Sequence, residues 1–435
     1  MSRIRPASRQ GYNHTPRDCA CTLSSTRILL ILVIICPALL FGAAPRQLIA
    51  IFFTRFCTCP IKLTRQIRPP TLHRSKESEP MSDKTTSKRI NFALQGGGSH
   101  GALTWGVLDR FLEDERLTIA EISGTSAGAM NAVVLADGFE RAGRDGARAA
   151  LHDFWKAVSD AARFSPIQRS LWDRATGNFS LDHSPGYLFM EGVSRMFSPY
   201  DLNPLGVDPL RAILEQQVDF DNVNKCRDIS VHVTATHVRT GRARIFSRGS
   251  VTADAVMASA CLPQISRAVE IDGEDYWDGG FSGNPALMPL VTSRASSDIV
   301  IVQINPVVRH KTPRSAREII NRVNEISFNT SLIKELRAIH LMQQMIDAKG
   351  VDLGAASQTY LHLIHTDSEV QDLSASSKSN AEWAYLRKLF ELGRNWADVW
   401  LDANFADIGT RSTLDLEEWF ADPNASSVLA GQGGL

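Results

Sequence analysis

The sequence predicts an α/β protein with a mostly parallel central sheet. Two strand–turn–helix units follow one another, the first at 89–113 and the second at 119–135. In each unit a strand-length apolar or alternating run reaches glycines, and a helix-length run follows. Strands that alternate with helices in this way form parallel sheets whose faces are covered by the helices.

The first unit contains a glycine-rich loop between its strand and its helix. The strand runs from Arg89 to Gln95, and the helix from Ala102 to Glu113. The loop between them consists of Gly96, Gly97, Gly98, Ser99, His100 and Gly101. Backbone N–H groups of consecutive glycines can converge on a negative oxygen at a helix N-terminus, because no Cβ atoms stand in the way.

A dinucleotide site is one interpretation of this loop. Gly96, Gly98 and Gly101 satisfy the G-x-G-x-x-G spacing after a strand, and Glu121 follows twenty residues after the last glycine. In dinucleotide-binding folds an acidic residue at about that separation binds the ribose. An oxyanion hole for acyl transfer uses the same kind of nest, so the loop alone does not decide between them.

The second unit places one serine at a sharp turn. Its turn has the G-x-S-x-G spacing, with Gly124 and Gly128 on either side of Ser126. A nucleophile on a tight strand-to-helix elbow has strained backbone angles and needs small neighbours. The helix after the turn directs its N-terminal N–H groups at the serine. The spacing therefore predicts a nucleophile at Ser126, beside the glycine loop at one edge of the sheet.

The remaining elements alternate along the chain, with a loop-rich aromatic stretch at 164–203 that is either packed or a lid or lipid-contacting surface. Two helices are predicted within 129–158. Further strands are predicted at 229–237, 243–246, 298–305 and 360–365, a hairpin with an Asp-Gly turn at 269–277, and helices at 253–260, 316–349 and 378–404.

A third motif comes after the hairpin. Asp278, Gly279 and Gly280 come directly after its second strand, where an aspartate is accessible to a partner side chain. A turn aspartate is the simplest interpretation of this stretch in isolation. Because this motif follows the glycine loop and the serine elbow in the chain, a second interpretation is that it belongs with them to one set of motifs.

Together the three motifs resemble the signatures of the patatin-like phospholipase family, in that family's order, over roughly Phe92 to Val291. Supporting local matches are Ser259-Ala260-x-Leu262-Pro263 and Asn284-Pro285. The resemblance implies a three-layer α/β/α fold and a serine acyl hydrolase that cleaves lipid or phospholipid esters without a cofactor or metal. It implies residues 89–291 as the catalytic domain, with 292–435 as strands and helices packing on it.

The resemblance also implies a role for each motif residue. Ser126 is the nucleophile and Asp278 the base. The oxyanion hole is formed by Gly96, Gly97, Gly98 and Ser99, with Gly101, Gly124, Gly128, Gly279 and Gly280 as supporting positions. One position departs from the family, which usually has Arg or Lys where this chain has His100.

Three other functions stay open on the sequence alone. An α/β-hydrolase with a Ser–Asp–His triad fits the order Ser126, Asp278 and then one of the later histidines. Those histidines are His310, His340, His362 and His365. A nucleotide-binding protein would use the glycine loop, and a catalytically silent lipid-binding module would use neither motif for chemistry.

The first eighty residues differ in composition from the rest. Residues 1–80 carry twelve Lys or Arg against three Asp or Glu, whereas the formal net charge of the chain is zero. The body is therefore mildly acidic and shows no nucleic-acid footprint. Five of the seven cysteines also lie there, so the body has no disulfide framework and suits a reducing compartment.

The apolar run Ile28 to Ala44 has the shape of a signal segment or short anchor. We favour the interpretation that Met81 is the natural start, so that residues 1–80 are an extension outside the working protein and 1–88 as a whole precede the catalytic domain. The expected location is then cytoplasmic, with or without membrane association. A membrane-anchored protein and an exported protein are the alternatives. If Ile28 to Ala44 is translated and retained, an inner-membrane anchor is expected instead. The sequence does not indicate an oligomeric state.

Overall fold

The computed structural model describes residues 87–309, 311–350, 353–365 and 374–421. The strands are β1 Lys88–Leu94, β2 Leu117–Gly124, β3 Ser230–His237, β4 Ala243–Phe246, β5 Val269–Ile271, β6 Glu274–Asp278, β7 Asp298–Val302 and β8 Tyr360–Ile364. The longer helices are α1 Gly101–Glu113, α2 Ala127–Ala162, α4 Pro185–Ser194, α6 Pro209–Gln217, α10 Ala316–Lys349 and α11 Trp383–Asn404. The short helices are α3 Leu171–Ala175, α5 Pro199–Leu202, α7 Phe220–Lys225, α8 Ala253–Ser259, α9 Met288–Thr292 and α12 Leu416–Ala421.

One sheet of eight strands forms the centre of the described residues. Its order is β5-β6-β3-β2-β1-β7-β8, and β4 pairs with β3. The pairs β1–β2, β2–β3, β1–β7 and β7–β8 are parallel, whereas β3–β4, β3–β6 and β5–β6 are antiparallel. The predicted α/β class with a mostly parallel sheet is confirmed.

Helices cover both faces of this sheet, which makes three layers. Phe92 and Leu94 of β1 pack into one core with side chains of α1, α2 and α11. Ala93, between them, points into a second core with side chains of α9 and α10. Successive residues of a strand point to opposite faces, so both faces of β1 are buried.

Two predicted ends of secondary-structure elements are wrong, and the predicted division of one helical region into two helices is confirmed. The predicted helix 378–404 begins only at Trp383, because Ala375–Ser379 forms a separate 3-10 turn. The predicted strand 298–305 ends at Val302. Within α2 the backbone leaves helical geometry at Ala142 and Gly143, as expected for two helices in this region.

None of the helices in the described ranges is both long and apolar enough to cross a lipid bilayer. The predicted extension 1–80, the apolar run Ile28 to Ala44 within it and the expected start at Met81 lie outside the described residues.

Candidate active site

The parallel pairing of β1 and β2 brings the glycine loop against the serine elbow. Leu94 pairs with Gly124 at the ends of the two strands. Gly96 and Ser126 each lie two residues further on, at the same edge of the sheet. A Cβ placed on Gly96 would be 2.7 Å from Cβ of Ser126 and 2.8 Å from the carbonyl oxygen of Thr125. A side chain at Gly96 would therefore displace the serine.

Ser126 has the strained backbone expected of an elbow. Its φ of 54° and ψ of −120° lie in a region that non-glycine residues rarely occupy. A Cβ on Gly124 would lie 2.5 Å from the carbonyl oxygen of Gly128, and one on Gly128 would lie 2.3 Å from that of Leu94. Both neighbours must therefore lack a side chain for the turn to close.

The elbow is also held by a side chain from another helix. The backbone N–H of Ser126 donates a 2.8 Å hydrogen bond to Oγ of Ser259, at the end of α8. Thr125 donates its own hydroxyl to the carbonyl oxygen of Gly283, at 2.6 Å. These contacts fix the backbone of the strained turn from both sides.

Asp278 lies buried at the end of β6, opposite Ala235 of β3. Its N–H donates to the carbonyl oxygen of Cys261 at 2.8 Å, and its Oδ1 accepts the N–H of Gly280 at 2.7 Å. Its Oδ2 has no hydrogen-bond partner among the described residues. One carboxylate oxygen is thus held by the backbone, and the other remains available.

The environment of Asp278 suits a base that works near neutral pH. Burial raises the pKa of its carboxyl to about 7, against the opposing effects of the Gly280 N–H and the Ser126 hydroxyl. The serine hydroxyl is therefore near enough to influence the carboxylate, although the two side chains are not hydrogen-bonded in the structure. Such contacts are often loose without a substrate.

Two glycines let the Asp278 turn pack tightly. A Cβ on Gly279 would lie 2.0 Å from the carbonyl oxygen of Thr234, and one on Gly280 would lie 2.2 Å from the ring of Phe328 in α10. The D-G-G sequence is thus required by the backbone of β3 on one side and by an aromatic ring on the other.

The glycine loop presents free N–H groups. The Gly96 N–H donates to Oδ1 of Asn284 at 2.7 Å, so it is already used. The N–H groups of Gly97 and Gly98 donate to no acceptor among the described residues. Ser99 and His100 continue the loop as a 3-10 turn, and Gly101 packs so closely on Ala127 that its Cβ would lie 2.7 Å from the alanine's. Of the predicted oxyanion residues, Gly97, Gly98 and Ser99 therefore have N–H groups without an acceptor among the described residues, whereas the N–H of Gly96 is already used.

His100 is buried behind the loop and is neutral. Burial lowers its pKa to about 3, and the nearby cations Lys378 and Arg309 lower it further. Its Nε2 lies 2.9 Å from Oγ of Ser377, whose own hydroxyl donates to the carbonyl oxygen of Ser374. His100 is therefore the donor of this bond, and it brings no positive charge to the loop.

Two of the four histidines proposed for a triad, His340 and His362, have other partners. Nε2 of His362 bonds Oδ1 of Asp298 at 2.9 Å, and that of His340 lies 3.0 Å from Nε2 of Gln344. His310 lies outside the described residues. The groups that shift the pKa of Asp278 are its burial, Gly280 and Ser126, so that no described histidine is among them.

Glu121 gives no geometric support to a ribose contact. It lies within β2, and its Oε2 is 3.8 Å from Nε2 of His232 on β3. Both side chains are largely buried there, which leaves the acid inside the sheet rather than at the edge with the glycine loop.

Several supporting residues were not predicted as site residues. Ser259 and Asn284 belong to the local matches noted in the sequence, and their side chains hold Ser126 and Gly96. Behind the loop lie Gln95, Asn305 and Lys378. Oε1 of Gln95 accepts the N–H groups of Ile304 and Asn305, both at 3.0 Å. The positions of Ser259 and Asn284 in the local matches could have indicated that they support the site. No sequence pattern marks Asn305 or Lys378 in this way.

Comparison with known proteins gives one family and remote structural likenesses. Residues 92–291 match the sequence model of the patatin-like phospholipase family. No curated protein matches the chain in sequence. VipD from Legionella pneumophila is similar over 79% of this chain and 75% of its own, with 13% identity and a TM-score of 0.31.

ExoU from the type III secretion system of Pseudomonas aeruginosa, in complex with SpcU, is similar over 72% of this chain, with 14% identity and a TM-score of 0.24. The match covers 53% of ExoU, so this chain spans about half of its length.

Proposed function

Because residues 92–291 belong to the patatin-like phospholipase family, we propose that this chain is a serine acyl hydrolase that cleaves carboxylic esters of lipids. Ser126 is the nucleophile, Asp278 the general base, and the N–H groups of Gly97 and Gly98 the oxyanion donors. The observation that carries this proposal is the free Oδ2 of a buried Asp278, whose pKa of about 7 is influenced by the Ser126 hydroxyl.

In the first half-reaction Asp278 takes the hydroxyl proton while Oγ of Ser126 attacks the carbonyl carbon of the ester. The carbonyl oxygen becomes an oxyanion, which accepts hydrogen bonds from the glycine loop. Asp278 then returns the proton to the departing alcohol oxygen. The C–O bond of the ester breaks, and the acyl group stays on Ser126.

In the second half-reaction water replaces the alcohol. Asp278, again ionised, accepts a proton from the water as it attacks the acyl-enzyme. The oxyanion forms in the same loop, and its collapse releases the fatty acid and returns the proton to Ser126. One carboxylate serves both steps because its pKa lies close to neutral pH.

The test measures fatty acid released from phosphatidylcholine vesicles and covalent labelling by a fluorophosphonate. Ser126→Ala should abolish both. Ser123→Ala is the matched control, because it removes another buried hydroxyl three residues earlier, which donates to the carbonyl oxygen of Ala286. Release and labelling by a folded Ser126→Ala variant would overturn the assignment. Labelling of the unmodified protein without release would indicate a different acyl substrate, and no labelling would indicate a silent binding module.

We further propose that the chain acts at a lipid surface through the segment 163–207. Large apolar side chains of this segment are exposed, and Phe164 has 93% of its surface accessible. The others are Leu171, Trp172, Leu188, Phe189, Met190, Met196, Phe197, Tyr200, Leu205 and Val207. Scattered apolar residues are normal, but a concentration of this kind marks an interaction surface.

The anchors of this segment are elements that also hold the candidate site. The Leu181 N–H donates to Oγ of Ser376, which is next to the partner of His100. The Ala268 N–H donates to the hydroxyl of Tyr200, in the loop after Cys261. Arg317 of α10 pairs with Glu191. The exposed segment is thus attached around the glycine loop and Asp278, where a lipid ester would enter.

Vesicle activity compared with activity on a soluble short-chain ester tests the surface. Trp172→Ser and Phe189→Ser should lower activity on vesicles while leaving the soluble ester unaffected. Val399→Ser is the control, since Val399 is an exposed apolar residue of α11 outside the segment. Equal losses on both substrates, or losses in the Val399 variant as well, would contradict the surface.

A further inference from the structure

The glycine loop is packed against a segment that lies outside the family match. This segment is the 3-10 turn Ala375–Ser379. A Cβ placed on Gly98 would lie 2.6 Å from the carbonyl oxygen of Lys378, and Gly98 has a φ of +59°. His100 donates to Ser377 of the same turn. The shape of the loop therefore depends on residues nearly three hundred positions further along the chain.

The side chain of Lys378 reaches the loop by a second route. Its Nζ donates to Oδ1 of Asn305 at 2.7 Å, and Nδ2 of Asn305 donates to the carbonyl oxygen of Gly96 at 2.7 Å. In a trans peptide the carbonyl and the next N–H point in opposite directions. Fixing the Gly96 carbonyl toward Asn305 therefore directs the Gly97 N–H away from it, and that N–H has no acceptor among the described residues.

Lys378 supplies the positive charge that His100 lacks. Glu325, the carboxylate that acts on the charge of Lys378, is already paired with Arg309 at 2.6 Å and with Arg322 at 3.1 Å. Its charge is thus shared among three cations, so positive charge remains in excess behind the loop. A cation at the end of a chain of hydrogen bonds polarises each member, which makes the last N–H a stronger donor.

We propose that Lys378 is a positioning residue for the oxyanion: through Asn305 it orients and polarises the Gly96–Gly97 peptide so that the Gly97 N–H meets the developing charge. This inference rests on the proposed function. Lys378 then supplies, from a different part of the chain, the positive charge that the neutral His100 does not carry.

The role has a pH signature. Burial lowers the pKa of Lys378 to about 8, Arg309 lowers it too, and Glu325 acts in the opposite direction. Among the residues that the structure describes, the other charged or titratable groups that act on this site are Arg322, through Glu325, and the neutral His100. Loss of the proton above about pH 8 removes the charge from the chain of hydrogen bonds. Activity should therefore fall on the alkaline side.

The experiment compares kcat, KM and the fluorophosphonate labelling rate across pH for the unmodified protein, Lys378→Met and Lys378→Arg. Removing an oxyanion donor costs about 10²–10³ in kcat. Weakening one through Lys378→Met should cost about tenfold to a hundredfold, with KM changed less than about threefold. Lys378→Arg keeps a charge that does not titrate, so it should retain activity and lose the alkaline fall. Lys334→Met, an exposed lysine of α10, is the control.

Asn305→Ala keeps the proposal testable if Lys378→Met does not fold. It should lower kcat to a similar extent, and the double variant should be no worse than either single one. An unchanged kcat and pH profile in folded Lys378→Met would overturn the inference, as would an alkaline fall that persists in Lys378→Arg. Those results would leave the hydrolase assignment standing as long as Ser126→Ala is inactive. Full activity of Ser126→Ala would instead remove the function on which this inference rests.

Discussion

The backbone N–H of Ser126 donates to Oγ of Ser259, 133 positions away, at 2.8 Å. A strained turn keeps its shape only when its surroundings fix it, and this bond is a direct attachment of the serine to another element. Both residues are buried. If the Ser259 hydroxyl were removed, the Ser126 N–H would therefore lose its acceptor at a cost in free energy, because water does not replace it freely there.

Ser259→Ala should therefore lower both activity and stability. Leaving a buried donor unsatisfied costs about 1–3 kcal/mol of unfolding free energy. Release of the elbow should also slow labelling of Ser126 by about tenfold or more, since small displacements of a nucleophile are costly. Thr292→Ala removes a hydroxyl at the end of another short helix and serves as the control. An unchanged labelling rate in the Ser259 variant would show that the elbow holds its shape without this bond.

Gly128→Ala should prevent the elbow from forming. The added Cβ would lie 2.3 Å from the carbonyl oxygen of Leu94, and two backbone segments cannot separate without breaking the β1–β2 edge. We expect a thermal midpoint lowered by several degrees or loss of soluble protein. Gly192→Ala is the matched control, since nothing lies within 4 Å of its Cβ position and alanine favours its helix. Equal thermal midpoints for the two variants would contradict the packing.

The activity should rise with pH through about 7, because Asp278 must lose its proton to act as a base. Measuring kcat/KM between pH 5 and 8 for a neutral soluble ester gives the apparent value for the free enzyme. Asp278→Asn should lower the rate by about 10²–10⁴ and remove this rise. A rate that is flat over this range in the unmodified protein would argue against a buried carboxylate base.

Because of the raised pKa of Asp278, the free energy of unfolding should fall as the pH rises. Its folded pKa of about 7 is above the usual 3.8, so between these values the folded protein holds a proton that the unfolded chain releases. The contribution of Asp278 to stability is therefore lost progressively from about pH 4 to 7. We therefore compare the thermal midpoint of Asp278→Asn with that of the unmodified protein at two pH values. The difference should favour the variant more at pH 8 than at pH 4. Asp275→Asn, exposed on the same strand, should show no such change.

Single replacement of four histidines by alanine should each change kcat by less than about tenfold in folded protein. These are His232, His237, His340 and His362, and each has a partner other than Asp278. His362→Ala should still lower the unfolding free energy, because it removes one of the two hydrogen bonds to Oδ1 of the buried Asp298 and leaves only that from the Gly409 N–H. A loss of kcat equal to that of Asp278→Asn in any one of them would replace the dyad with a triad.

The meeting of the glycine loop and the elbow could be predicted because it results from local patterns. Two strand–turn–helix units in a parallel sheet bring both turns to one edge, and Leu94 indeed pairs with Gly124. The Asp-Gly hairpin turn was predictable for the same reason, and Asp272 and Gly273 have the positive φ values of 56° and 78° that such a turn requires.

The support behind the loop could not be predicted, because it is made by residues far apart in sequence. Lys378 and Asn305 are 73 positions apart, and Asn305 and Gly96 are 209 apart. The pattern predicted a helix from Lys378, although the serines and the asparagine of 375–382 favour caps and turns. Ala375–Ser379 forms a separate turn that packs against Gly98 and His100, and these long-range contacts could not be predicted from the sequence.

The position of β7 beside β1 makes the matched family region dependent on a strand outside it. Residues 91–94 of β1 pair with 299–302 of β7, and β7 begins only after the match ends at 291. A fragment cut at residue 291 would convert the strand that carries the glycine loop into an unprotected edge. Its free N–H and C=O groups and its apolar side chains would then favour pairing between copies. The boundary drawn by sequence similarity thus does not coincide with a unit that can be separated without aggregating.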